Sequence, residues 1–202
     1  MLNNYKIGTK LIVFFLLIGL IPLTFMGIKA YSSASDALIA EAENKLDAVA
    51  MLKKAEIENM FHDVEANMAA ISSTNDIKLA INGLVKYHNE MKITATDAYD
   101  MSSSKRGVTI KYDDLYKEVH SLLKAYPEQY GYYDIFIICA PHGHVMYSWA
   151  KEGDLGTNLS SGQYKSSDLA TIWKGITSGE NFVLTDTRPY APSNGTPALF
   201  AG

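Results

Sequence analysis

Cysteine is nearly absent from this sequence: Cys139 stands alone among 202 residues. A single thiol excludes an intrachain disulfide, so no covalent staple supports the fold. It lies in the apolar run Ile137-Ile138-Cys139-Ala140, a setting for a small buried hydrophobe rather than a nucleophile. Dense basic clusters are missing too. Lys and Arg number 18 against 22 Asp and Glu. Three of those bases (Lys6, Lys10 and Lys29) fall in the first thirty residues, which hold no acid, so the rest of the chain carries 15 bases against 22 acids, a net of −7. An acidic chain without a Lys/Arg stripe excludes nucleic acid as a partner. No catalytic constellation, metal set or cofactor motif stands out. Gly153-Asp154-Leu155-Gly156 lacks the lysine and the spacing of a phosphate loop. With 48% hydrophobic and 20% charged residues the chain is not disordered, and it suffices for one domain plus a membrane segment.

Charge is wholly lacking from Leu11 to Ile28, LIVFFLLIGLIPLTFMGI. Fourteen of these eighteen residues are Leu, Ile, Val, Phe or Met. As a helix the run reaches about 27 Å, close to the roughly 30 Å hydrocarbon thickness of a bilayer. Its apolar gain outweighs the polar cost of Gly19, Pro22, Thr24 and Gly27. Lys10 and Lys29 flank it and can snorkel to opposite interfaces. A cleaved signal peptide has a shorter apolar centre, about 7–15 residues, and a small-residue cleavage pattern not found here. A buried core helix is disfavoured because the run has no polar face. The expectation is an uncleaved transmembrane helix over 11–30. The cytoplasmic N-terminus is 1–10, because Lys6 and Lys10 precede the span, and the remainder lies outside.

Proline and glycine are absent from Ser35 to Ser72, a stretch rich in the helix formers Ala, Glu, Lys and Met. Leu38, Ala42, Leu46, Val49, Leu52, Ile57, Met60, Val64, Met68 and Ile71 recur at steps of mostly three and four, one stripe along a helix. The stripe either packs on its own domain or pairs with the same helix of a second subunit. A stalk helix over 31–73 follows, separate from the membrane helix or continuous with it. The spacing predicts further helices over 76–91 and 113–125, the latter ending before Pro127, with a polar loop over 94–107 between them.

After Pro127 the period changes. Tyr132 to Ile138 is aromatic and β-branched and predicts a buried strand; Pro141-His142-Gly143-His144 is a turn and Val145 to Trp149 a second strand, a hairpin. A short helix is expected over 167–177, a third strand over 181–187, a proline-rich loop over 189–197 and a fourth strand beginning at Ala198. That last strand leaves its next neighbour in the sheet unaccounted for, so the sequence is expected to be a fragment.

Three stretches resemble a known family. They are Lys6-Ile7-Gly8-Thr9-Lys10-Leu11 leading to Gly19-Leu20-Ile21-Pro22-Leu23; Leu46-Asp47-Ala48-Val49 through Lys53-Lys54 to Ile57-Glu58-Asn59-Met60-Phe61; and Gly131 to Ile138 with Val145-Met146-Tyr147, Lys151 to Leu159, Asp186-Thr187-Arg188-Pro189-Tyr190 and Pro192-Ser193. The chain resembles the N-terminal part of methyl-accepting chemotaxis proteins with a double Cache sensor. The resemblance implies an α+β chain in which a PAS-like antiparallel sheet module over 74–202 holds a small-molecule ligand. It also implies a membrane-proximal module, a second span, a HAMP linker and a cytoplasmic signalling hairpin that reaches cytoplasmic signalling proteins, none of them within these residues. The expected location is the bacterial inner membrane with a periplasmic or extracellular sensor, as a homodimer. The Arg-Trp-Tyr cluster that amino-acid-binding members carry ahead of the pocket strand is absent: Lys124 to Tyr130 reads KAYPEQY. The ligand class therefore stays open.

The candidate ligand-binding residues are Tyr133, Asp134, Tyr147, Trp149, Asp186, Arg188 and Tyr190. Asp134 lies in an otherwise apolar strand, where a buried carboxylate must meet a ligand, a backbone amide or a cation. Tyr147 and Trp149 share a strand face and either line a pocket or fill the core. Asp186 and Arg188 either form a surface ion pair or contact ligand. His142 and His144 flank a turn glycine and read as solvated, since a metal would need further ligands. No catalytic residue, metal or cofactor is expected. The expected function is sensing rather than turnover; alternatives are the input domain of a sensor histidine kinase or diguanylate cyclase, and a membrane-anchored structural or enzymatic protein.

Overall fold

The computed structural model describes residues 6–202, so half of the expected cytoplasmic stretch 1–10 lies outside the described residues. The chain divides into two compact units, Met1–Asn59 and Met60–Gly202.

Helix α1 runs unbroken from Ile7 to Ser73; the expected membrane and stalk helices are one. Pro22 sits inside it and offers no N–H to the Ile18 carbonyl. The Thr24 hydroxyl donates to the Leu20 and Ile21 carbonyls at 2.8 and 2.9 Å, adding side-chain bonds in the turn beside the proline. In the first unit every large apolar side chain from Ile7 to Ile28 is exposed. By length and composition this segment can cross a membrane. Farther along, Leu38, Leu46, Val49, Leu52 and Ile57 are also exposed. Over these positions the stripe packs on nothing among the described residues of its own unit. Pairs such as Lys45–Glu41 at 2.7 Å and Lys53–Glu56 at 2.6 Å line the helix surface, each worth little in open solvent.

The second unit takes up the end of α1 and adds α2 (Asn75–Glu90), α3 (Tyr112–Leu123), α4 (Ala125–Tyr130), β1 (Phe136–Ile138), β2 (Val145–Ser148), α5 (Asp168–Thr177), β3 (Arg188–Tyr190) and β4 (Thr196–Ala198). Thr74 is the joint between α1 and α2. Its hydroxyl donates to Ile71 O at 2.8 Å and accepts from the Ile77 amide, ending one helix and capping the next. Pro127 does not mark the end of helix. It falls in the first turn of α4, where a missing N–H costs nothing, and left-handed Gly131 (φ 72°) stops the chain instead.

The described residues are mostly helical, with 58% helix and 9% strand. The α+β class holds, with the strands in two separate antiparallel pairs, β1–β2 and β3–β4. The expected hairpin is present, pairing Phe136 with Ser148 and Ile137 with Tyr147. Three strand expectations need correction, among them the fourth strand, which ends at Ala198 rather than beginning there. The first strand begins at Phe136 rather than Tyr132, because the side chain of Asp134 occupies amides beside the hairpin. The expected third strand, 181–187, forms only irregular pairing: Val183 N–H donates to Gly202 O at 2.8 Å and Thr185 N–H to Phe200 O at 2.9 Å. Regular pairing moves into the proline-rich segment, where Pro189 faces Pro197. Neither proline has an amide to leave orphaned, which suits a two-stranded ladder at an edge.

The main core joins Ile71, the inner faces of α2 and α3, and the hairpin residues Ile137, Met146 and Tyr147. Its large members are tyrosines, and four of their hydroxyls reach backbone carbonyls, whereas the hydroxyl of Tyr132 at the margin is buried without a partner. Tyr87 OH donates to Asp100 O at 2.8 Å, Tyr99 OH to Leu84 O at 3.0 Å, Tyr112 OH to Met146 O at 2.8 Å and Tyr116 OH to Ser148 O at 3.0 Å. The last two bonds tie α3 to β2. Tyr99 is 2% exposed, so the polar 94–107 segment is a loop as expected but is anchored in the core. A smaller cluster gathers Val145, Leu159, Leu169, Ala170 and Tyr190 under α5.

Candidate functional site

The candidate residues near the hairpin turn inward. Asp134 precedes β1, and its carboxylate accepts from the amides of Ile135 (2.6 Å), Trp149 (2.6 Å) and Ala150 (3.1 Å) and from Ser148 Oγ (2.7 Å). Of the three partners open to it in the sequence, backbone amides occupy it. Burial pushes its carboxyl up to about 6, while the four hydrogen bonds pull the other way. Tyr147 is fully buried, and its hydroxyl meets His120 Nδ1 at 3.0 Å. Trp149 is half-buried and stacks face to face on His120, centroids 3.8 Å apart and planes 8° apart. These two aromatics belong to the core and its margin. His120, from α3, was not legible as their partner, because nothing in its local spacing points to a strand 27 residues away.

The remaining candidates do not converge with them. Tyr133 is exposed and donates to Glu152 Oε1 at 2.6 Å; Glu152 also takes the Ser193 hydroxyl. Tyr190 is buried and donates to Asp154 Oδ2 at 2.7 Å. Asp154 is itself fully buried, and its Oδ1 has no partner; burial pushes that carboxyl up and the tyrosine bond offsets part of the rise. Asp186 is exposed and takes the Thr187 amide at 2.8 Å. Arg188 pairs not with Asp186 but with Asp168 on α5, at 3.9 Å and largely in solvent. A shallow groove between α2 and α3, bounded by Lys86, Thr109 and Glu118 among others, contains none of the seven.

The turn histidines depart from expectation. His144 is fully buried and His142 half-buried. Left-handed Gly143 (φ 78°) lets the turn fold tightly, with the Gly143 amide donating to Cys139 O at 2.7 Å and the Cys139 amide to His144 O at 2.9 Å. A side chain at 143 would press on Ser160 N and the Trp173 ring at 3.1 Å. The turn is thus held under α5 and against the end of α2. There His88 joins it, its ring 5.2 Å from that of His144 and 5.6 Å from that of His142. With Cys139 these make the group of metal-competent side chains found among the described residues, one donor atom from each lying within 4.8 Å of all the others. His88 and Cys139 were missed because they come from a helix and from a strand end read as core.

Comparison with protein-family models, curated proteins and solved structures found no match to this chain.

Proposed function

We propose that this chain is the membrane-anchored sensing portion of a bacterial chemoreceptor. Its N-terminus is cytoplasmic, α1 is tethered in the inner membrane, and the unit from residue 60 is a Cache-like, PAS-related module outside the cytoplasm. The observation that carries this reading is α1 itself. One uninterrupted helix joins a charge-free, membrane-length segment to the first core residue of a folded unit, Ile71. The lysines on the N-terminal side favour the N-in orientation. The unpacked stripe from Leu38 to Ile57 favours a second copy of α1 as its partner, giving a homodimer. The role is sensing rather than turnover: a small molecule that binds two arrangements of the module with different affinity would shift α1 and pass the signal inward.

Two measurements test it. Alkaline phosphatase fused after residue 202 should be active and a fluorescent protein there dark; a bright cytosolic fusion overturns the topology. A thermal-shift screen of the detergent-solubilised chain should find a small molecule that raises its melting temperature. A screen with no hit, in a chain that unfolds cooperatively and is therefore folded, overturns the sensing role.

A further inference from the structure

The geometry points to a transition-metal site of the zinc class in the second unit, built by His88, Cys139, His142 and His144. It stands apart from the sensing role proposed above, since it needs neither the membrane nor a signalling output. The four side chains come from two places, the last turn of α2 and the β1–β2 turn. One thiolate and three imidazoles form a borderline-soft, four-ligand set, which suits tetrahedral Zn2+. With Zn–N near 2.0–2.1 Å and Zn–S near 2.3 Å, the tetrahedral edges of a one-sulfur, three-nitrogen set are about 3.3–3.6 Å. Cys139 Sγ and His142 Nδ1 already lie 3.8 Å apart, and a limit of 4.8 Å on the full set leaves only a small contraction.

Hydrogen bonding gives a second, independent indication. His144 Nε2 lies 3.1 Å from the Asp97 carbonyl, which has no proton to give, so Nε2 carries the ring proton and Nδ1 is a bare lone pair. That Nδ1 is buried without a partner, as is His88 Nε2. Two shielded nitrogens with no partner on one small cluster run against the rule that buried polar atoms are satisfied. A metal ion satisfies both. The contact to Asp97 then becomes the outer hydrogen bond that metal-bound histidines usually make, fixing tautomer and ring direction. Asn158 holds that carbonyl in place, its side-chain amide donating to the same oxygen at 3.0 Å and to Ala95 O at 2.9 Å. Four protein ligands leave no open position, so the site would clamp α2 to the hairpin rather than activate water.

Cys139 is the sole cysteine of the chain, which makes the test direct. The purified full chain in detergent, stripped by chelator, is titrated with Co2+ and then Zn2+. The expected result is one equivalent of Co2+ with tetrahedral ligand-field absorption and a thiolate-to-cobalt charge-transfer band, both abolished by one equivalent of Zn2+. Cys139→Ser should lose the charge-transfer band, and His88→Ala should weaken Zn2+ binding by tenfold or more. His62→Ala, on the exposed part of α1, should change neither. No stoichiometric binding, or octahedral cobalt spectra without a charge-transfer band in the unaltered chain, overturns the site whatever the variants do. Zn2+ binding equally strong in His88→Ala and His142→Ala overturns it as well.

Discussion

Asp134 does more for the hairpin than one carboxylate at the mouth of a strand suggests. Three amides and a hydroxyl from residues 135 and 148–150 converge on it; on truncation the Trp149 amide keeps Ile135 O at 3.1 Å, while the Ile135 and Ala150 amides and the Ser148 hydroxyl lose their acceptor. We expect Asp134→Ala to lower the unfolding free energy by about 2–4 kcal/mol, in line with the cost of leaving buried donors unsatisfied. Chemical denaturation of residues 60–202 measures it, and a loss below about 0.5 kcal/mol, the range of an ordinary surface substitution, would return Asp134 to the groups waiting for a ligand. His120 supplies a pH signature. Burial first, then the nearby Lys124 and Lys151, hold its pKa below the ordinary 6.5. The folded state therefore resists taking up a proton that the unfolded state accepts. Its contribution is complete above pH 6.5 and falls away as pH drops below that value. Stability of the native sequence should decline more steeply on acidification than that of His120→Phe, which keeps a flat ring against Trp149. Parallel curves would show that the imidazole stays free to ionise in the fold.

At the scale of elements, the helices were legible because their signals are local. The apolar spacing in Ile77, Ala80 and Leu84, or in Leu115, Val119 and Leu123, repeats within one turn and needs no distant partner. The β3–β4 ladder was hidden for the opposite reason. It is built from Arg188-Pro189-Tyr190 and Thr196-Pro197-Ala198, whose prolines signal loop, and only the facing of Pro189 and Pro197 makes them compatible. Site residues divide the same way: Asp134 was singled out as a buried acid, whereas His88 gains meaning only when a turn more than fifty residues later folds against it. The stripe on α1 leads to a third expectation. Leu46 and Val49 are exposed on one helix face, while Asp47 and Glu58 lie round the other side. In membranes, Leu46→Cys and Val49→Cys should form disulfide-linked dimers under mild oxidation, with Asp47→Cys and Glu58→Cys at least severalfold less. Equal yields at all four would mean random collision rather than a helix pair.

For the whole molecule, the distribution of buried side chains separates tether from folded body. Among the described residues, every member of both apolar clusters lies between Ile71 and Phe200, and the first unit contributes none. Hydrophobic stabilisation scales with area removed from water, so residues 60–202 hold the core that needs to survive, whereas α1 up to Asn59 depends on a bilayer or on a second chain. A chain starting at Met60 should accordingly be soluble without detergent, monomeric by sedimentation, and unfold in one cooperative transition, as single domains under 150 residues do. The full chain should instead stay with the membrane fraction through a carbonate wash. Deleting 59 residues from one end normally costs a domain its stability; here the melting temperature of the body should move by only a few degrees, roughly the shift of a 1 kcal/mol change. A shortened chain that aggregates, or melts without cooperativity, would show that the stalk before residue 60 is part of the folded core.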